Sequence, residues 1–232
     1  MLSNTADYLN TLLFGLYPYL ALTIFIVGSM LRYDREQFTW KTGSSQMLEG
    51  KGIKKGNMAF HIGIIAVLAG HFVGLLTPHQ VWDALGVTAQ VKQIIAMAAG
   101  GFFGLICLYG IVILLNRRLN NPRVRATSTT MDILILVLIF VQLVLGLISI
   151  LFSFSHLDGV EMYKMMGWAQ NIVTFDMTAA ADSLSSVGLI YKLHIFLGMS
   201  LFVLFPFSRL VHIWSVPIKY FSRNYQVVRS KS

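Results

Sequence analysis

Five runs of predominantly apolar residues, each near the length of a bilayer core, constrain this chain more than any other feature. They cover 8–31, 57–77, 91–115, 131–153 and 187–214. A spanning helix needs roughly 20 such residues. Over its 232 residues the chain is 56% hydrophobic and only 12% charged, against about 25% charged in an ordinary soluble domain. The sequence therefore predicts an all-α fold: a polytopic membrane bundle of five transmembrane helices, forming a single domain over residues 1–232.

The formal net charge of +8 does not point to nucleic acid. Its basic residues border the apolar runs, where the positive-inside rule places them. The 32–55 connection carries six Lys/Arg, the 117–125 loop four, and the tail after Trp214 four. The opposite ends carry Asp7, Asp83, Asp158, Glu161, Asp176 and Asp182, with Lys92, Lys164 and Lys192 near span ends. This bias predicts an N-terminus outside and a C-terminus in the cytoplasm. The first run lacks a basic leading region and an A-x-A site, so it reads as a span and not as a cleavable signal. The lone Cys107 can form no internal disulfide and reads as a small apolar core residue. The longest outer connection, 154–186, is rich in Met and aromatic residues. It suits either a short amphipathic helix on the membrane surface or a loop packed on the bundle.

Four histidines fall inside two of the runs. His61 and His71 are ten residues apart on the second, and His194 and His212 are eighteen apart on the fifth. An ionisable side chain within a span is costly and marks a functional site by default. The two spans run antiparallel, because three crossings separate them. Depth then pairs His71 with His194 near the outside and His61 with His212 near the cytoplasm. Paired imidazoles stacked across a bilayer fit two bis-histidine haems. Zinc favours a tighter tetrahedral set with thiolate or carboxylate, and no such cluster is apparent.

The spacings do not match. In straight helices eighteen residues rise about 27 Å and ten rise about 15 Å. Pro206 lies between His194 and His212 and predicts a bend that absorbs part of the difference. Eighteen residues are also five full turns, which would put His194 and His212 on one helix face. Gly63, Ala66, Ala69, Gly70, Gly74, Gly188 and Gly198 flank the histidines. Such residues leave room for flat macrocycles or serve close helix packing. His79 and His156 lie beyond the spans and read as surface residues.

Several stretches carry a family resemblance. They are Tyr17-Pro18-Tyr19, Leu31-Arg32-Tyr33-Asp34, Ser44-Ser45-Gln46-Met47-Leu48, Phe60-His61-Ile62-Gly63-Ile64 and Gly70-His71-Phe72. They continue through Leu76-Thr77-Pro78-His79, Val91-Lys92-Gln93, Pro122-Arg123-Val124-Arg125-Ala126-Thr127 and Gly167-Trp168-Ala169-Gln170. The last runs from Phe205-Pro206-Phe207-Ser208-Arg209-Leu210 to Val211-His212-Ile213-Trp214-Ser215-Val216-Pro217. Over nearly its whole length the chain resembles the gamma subunits of respiratory nitrate reductases, membrane dihaem cytochromes b of the bacterial inner (cytoplasmic) membrane.

The resemblance implies oxidation of a quinol, menaquinol or ubiquinol, on the outer side. Electrons would pass through two b haems to a cytoplasmic iron–sulfur beta subunit and then to a molybdenum-containing alpha subunit that reduces nitrate. It also implies that His71 and His194 hold the outer haem, that His61 and His212 hold the inner one, and that Gly70, His71 and Lys92 form the quinol pocket. An ammonium at Lys92 would donate to a quinone oxygen; snorkelling to headgroups is the plainer reading. Arg209, one turn before His212, is the best candidate for a haem propionate. Arg32 and the Arg123–Arg125 cluster could serve there or face the partner subunit. Tyr17, Tyr19, Trp40 and Trp168 read as interfacial anchors. The stretch Asp176-Met177-Thr178-Ala179-Ala180-Ala181-Asp182 departs from the family pattern beside the expected quinol entrance. A dihaem subunit feeding a sulfur-metabolism or heterodisulfide-type complex is the alternative in the same class. A haem-free anchor and a small transporter are the alternatives outside it, and the internal repeats of a transporter are not seen.

Overall fold

A computed structural model of the chain describes residues 5–40 and 52–215. Residues 41–51 of the basic 32–55 connection, with the Ser44–Leu48 stretch, and the tail from Val216 onward lie outside the described residues. Among the described residues the structure is all-helical, with no strand.

Among the described residues five helices are long and apolar enough to cross a membrane. They are α1 (Thr5–Arg35), α2 (Ile53–Leu76), α4 (Ala89–Asn120), α6 (Thr130–Ser153) and α9 (Leu189–Leu204, continued to Phe207 by a 3₁₀ turn). Shorter helices join them: α3 (His79–Ala84), α5 (Pro122–Ala126), α7 (Val160–Val173) and α8 (Met177–Ser183). The ends follow local chemistry. Thr88 accepts from Val91 N–H to start α4, and Asn121 accepts from Arg123 and Val124 N–H to start α5. Thr129 and Asp132 form a reciprocal capping box on α6. Large apolar side chains such as Ile65, Leu68, Phe72, Phe102, Leu105 and Leu151 remain exposed on the spans, as suits surfaces facing lipid.

Each span packs on the next in the order α2, α4, α6, α9, α1, with α2 against α4 the most extensive contact. That contact is close because it is made by small residues. A Cβ placed on Gly63 would come within 2.7 Å of Cys107 Cα, and one on Gly110 would collide with the Phe60 backbone. Helices α2 and α9 share no comparable backbone contact. They face one another across the bundle through their histidines.

The 154–186 connection is largely helical and packs on the bundle. Helices α7 and α8 fold inward and complete a core with Phe14, Trp168, Ala169, Ile172, Ala180, Leu184, Val187 and Tyr191. The expectation that Trp168 is an interfacial anchor fails. Its ring is 6% exposed, and its Nε1 donates to the Phe14 carbonyl at 2.9 Å. Phe14 lies in a π-helical stretch of α1, Thr11–Leu16. Four residues on stands Pro18, which has no N–H to donate to the Phe14 carbonyl, so that carbonyl is open to another donor. The departing 176–182 stretch forms α8, with Asp176 accepting from Ala179 N–H at its start. Gly15 lies directly beneath Met177.

The fifth span also differs from expectation. Its α-helix stops at Leu204, a 3₁₀ turn covers Phe205–Phe207, Ser208 is extended, and a second 3₁₀ stretch runs Arg209–Ser215. Pro206 has no N–H and cannot continue the ladder. From His194 to Leu204 the α-helix rises about 15 Å, the same as from His61 to His71. Beyond Leu204 the chain leaves the α-helix, so the straight-helix rise of about 27 Å no longer applies to His212. The break also removes the shared face expected for His194 and His212, because no single helix joins them.

Candidate functional site

Helix α2 meets His194 of α9 and His212 of the 3₁₀ stretch beyond it, which brings the four histidines together as two pairs. The ring centres of His71 and His194 are 6.1 Å apart with planes at 36°. Those of His61 and His212 are 6.3 Å apart with planes at 69°. Both pairs are the ones that depth alone predicts. Imidazoles bound on opposite sides of one metal ion at about 2.0–2.1 Å, with a ring radius of about 1.1 Å added, have centres about 6.3 Å apart. The two observed separations fit that arrangement.

Three of the rings are oriented by their own backbone. His61 Nδ1 lies 2.8 Å from Asn57 O, His71 Nδ1 2.8 Å from Val67 O and His212 Nδ1 2.6 Å from Arg209 O. A proton on Nδ1 donated to a carbonyl leaves Nε2 as the free ligand atom, the usual arrangement behind a metal-bound histidine. His194 differs: its Nδ1 is buried without a partner. Its neighbour is Gln142 on α6, whose Nε2 donates to the His194 carbonyl at 3.0 Å and lies 3.4 Å from the ring Nε2. No three His, Cys, Asp or Glu side chains cluster for a metal ion among the described residues.

The flanking glycines divide between the two roles open to them. Gly63 is a packing glycine against Cys107, whereas a Cβ on Gly70 or Gly74 would meet nothing within 4 Å. Beside His71 the backbone thus leaves space. Gly188 faces Tyr191, and Gly198 faces Gln142.

Lys92 is 7% exposed at the start of α4. Its Nζ donates to Gly74 O at 2.7 Å and to Met166 Sδ at 2.7 Å, and sits 4.8 Å from the centre of the Trp82 ring. It is anchored on the last turn of α2, one turn beyond His71, and does not snorkel. Gln170 on α7 donates to Leu75 O and Thr77 O, so two side chains satisfy carbonyls that the end of α2 leaves open.

At the opposite end Arg32 donates to Pro206 O at 2.6 Å, to Ser208 O at 2.8 Å and to Thr39 O at 2.9 Å. It thereby satisfies the Pro206 and Ser208 carbonyls freed by the helix break. Arg209 Nε donates to Asp132 Oδ1 at 2.8 Å, and Arg118 stands 3.7 Å from the other oxygen. Arg123 and Arg125 are exposed on α5. Tyr17 bonds Ser200 at 2.9 Å, Tyr19 stacks on Phe175, and Trp40 Nε1 donates to Ser215 Oγ at 2.7 Å. His79 and His156 are exposed, His79 against the Tyr163 ring.

Gln142, Gly146, Asp132, Trp82 and Met166 are site neighbours that the sequence does not single out. For Gln142 and Asp132 a signal existed: each is a polar residue in or at the edge of the most apolar span.

The chain matches, over residues 10–231, the family described as "Nitrate reductase gamma subunit". It is 53% identical to the respiratory nitrate reductase 1 gamma chain of Escherichia coli (strain K12) over 97% of this chain and 99% of that one. It is 49% identical, over the same shares, to the respiratory nitrate reductase 2 gamma chain of that organism. With the nitrate reductase gamma chain of Bacillus subtilis (strain 168) it is 39% identical over 95% of this chain and 98% of the other.

Proposed function

The chain belongs to the nitrate reductase gamma subunit family, and on that premise we propose that it is the membrane cytochrome b subunit of a respiratory nitrate reductase. In this reading it oxidises quinol, menaquinol or ubiquinol, near the His71–His194 end. The electrons leave at the His61–His212 end for an iron–sulfur beta subunit and a molybdenum-containing alpha subunit. The observation that carries it is the pair of imidazole couples, 6.1 and 6.3 Å apart, that α2 makes with α9 and with the 3₁₀ stretch beyond it.

The residues fit haem. Two imidazoles face each other at each site, Nε2 is free at three of the four, and Gly70 and Gly74 keep the backbone open beside the outer pair. His71 and His194 would hold the outer haem and His61 and His212 the inner one. Bound there, two b haems supply one-electron carriers across the low-dielectric span. The chain's own residues do the rest. Backbone carbonyls fix three rings, and Gln142 contacts the fourth. The free amino groups of Arg209 are the candidates for a propionate.

Gly70, His71 and Lys92 form the quinol site in this reading. Lys92 is held by Gly74 O and Met166 within a turn of His71. From there its ammonium donates to a quinone oxygen and offsets negative charge as protons depart. The basic connections place the His61–His212 end, and the C-terminus, at the cytoplasmic face of the inner membrane. Protons are then released outside while electrons move inward.

Single substitution of each histidine by Ala, followed by the reduced-minus-oxidised b-type spectrum of the assembled complex, tests the assignment. His71 and His194 variants lose one and the same haem, and His61 and His212 variants lose the other. Removal of different haems by His71→Ala and His194→Ala overturns it.

A further inference from the structure

Asp132 is the best placed of the charged groups that the electron path does not use. It begins α6, where it shares a capping box with Thr129. It also binds two arginines from elsewhere in the fold. Arg209 Nε donates to Oδ1 at 2.8 Å, and Arg118 of α4 lies 3.7 Å from Oδ2. All three side chains are largely shielded, at 16%, 25% and 11% exposed for Asp132, Arg209 and Arg118. Arg118 in turn donates to Ser128 Oγ at 3.0 Å.

This cluster meets the weakest part of the site. His212 is the one candidate ligand carried outside an α-helix, on the 3₁₀ stretch beyond the break at Pro206. Its ring is oriented by a bond from Nδ1 to Arg209 O at 2.6 Å. Arg209 therefore steers the imidazole with its carbonyl while Asp132 grips its side chain. Such a link behind a ligand fixes the ring plane and the basicity of the ligating nitrogen. His61, His71 and His194 sit within α2 and α9, and among the described residues no such ion pair stands behind them.

We propose that Asp132 is a positioning residue for the inner histidine pair: it clamps the His212 segment to α6 and α4 through Arg209 and thereby sets the orientation of the His212 ring. This rests on the reading of His61 and His212 as ligands of one haem. Asp132 is the only negative side chain that holds this segment among the described ion pairs, so its loss has no local substitute.

The test uses the assembled complex in native membranes. In Asp132→Ala the low-spin ferric EPR signal of the inner haem shifts and broadens, while the outer haem's signal stays as in the parent protein. Asp132→Asn still offers an oxygen to Arg209 Nε and gives a smaller change, and Asp132→Glu restores the parent signal in part. A pure charge effect would move the inner midpoint potential in Asp132→Asn and Asp132→Ala alike and leave the line shape intact; that result overturns the proposal. So do equal changes in both haems, unchanged signals in Asp132→Ala, or loss of the chain from the membrane in both the Ala and Asn variants, which would assign Asp132 to folding alone. Retention of two haems in both His61→Ala and His212→Ala would instead remove the underlying reading.

Discussion

Gln142 and His194 are fitted to one another across α6 and α9. Gln142 Nε2 donates to the His194 carbonyl at 3.0 Å. Each residue also stands one turn from a glycine that makes room for the other. A Cβ on Gly146 would lie 3.0 Å from His194 Cε1, and one on Gly198 would lie 3.1 Å from Gln142 Nε2. Gln142 Oε1 and His194 Nδ1 are both buried without partners, and such complementary groups in hydrocarbon gain by pairing.

Replacing Gln142 by Leu removes a polar neighbour that contacts this ring from another helix. Interhelical bonds of this kind contribute about 0.6–2 kcal/mol, and losing a partner that orients a metal ligand weakens the site about 10–100-fold. The expected outcome is a selective loss of outer haem, read from the two b-type components. Unchanged outer haem content would show that His194 orients itself.

Arg32→Ala strips three donors from the Pro206, Ser208 and Thr39 carbonyls. Losing a charged partner of a shielded backbone group costs about 1–3 kcal/mol. The cost falls on the segment bearing His212, so the inner haem is lost first on heating and the outer one later. A single transition for both haems, unshifted from the parent, contradicts this.

Gly63→Val tests the α2–α4 contact. Its Cβ would fall within 2.7 Å of Cys107 Cα, and backbone cannot yield as a flexible side chain does. Overpacking costs about 1–3 kcal/mol. Both haems are then less firmly held, because α2 carries a ligand for each. Gly101→Ala serves as the control: its Cβ would meet nothing closer than Ile150 Cδ1 at 4.0 Å, and stability in detergent stays close to the parent's.

Lys92→Met separates the two roles of Lys92. As a quinol ligand, its loss lowers kcat/KM for quinol about 10²-fold, the usual cost of removing one positioned donor, with both haems retained. If it serves only to cap α2 beneath Gly74, quinol oxidation is unchanged and thermal stability alone falls.

The histidine pairs are legible in the sequence, because depth in a membrane follows from residue number along a helix and charge bias supplies the direction. The inward fold of 154–186 is not. Met166, Trp168 and Ile172 are the residues of a surface-lying amphipathic helix as much as of a core. What decides between them is a contact distant in sequence, with the Phe14 carbonyl, which Pro18 four residues on leaves without its helical N–H donor. Arg209 illustrates the same limit: its place one turn before His212 suggests an anion partner, and its Nε is bound by Asp132, a residue distant in sequence.

Five spanning helices, the antiparallel relation of α2 to α9, and the pairing of His71 with His194 and His61 with His212 all follow from the residues alone. They depend on period, length and chain order, which are local properties. Contacts between distant segments settle the rest: how the ten- and eighteen-residue spacings become compatible, which glycines pack and which stay open, and what orients each imidazole. Pro206 can bend a helix or end it, and its neighbours in the chain do not choose. Arg32 supplies donors for the carbonyls freed beyond Leu204, so the break costs little, and His212 reaches the depth of His61 on a 3₁₀ stretch.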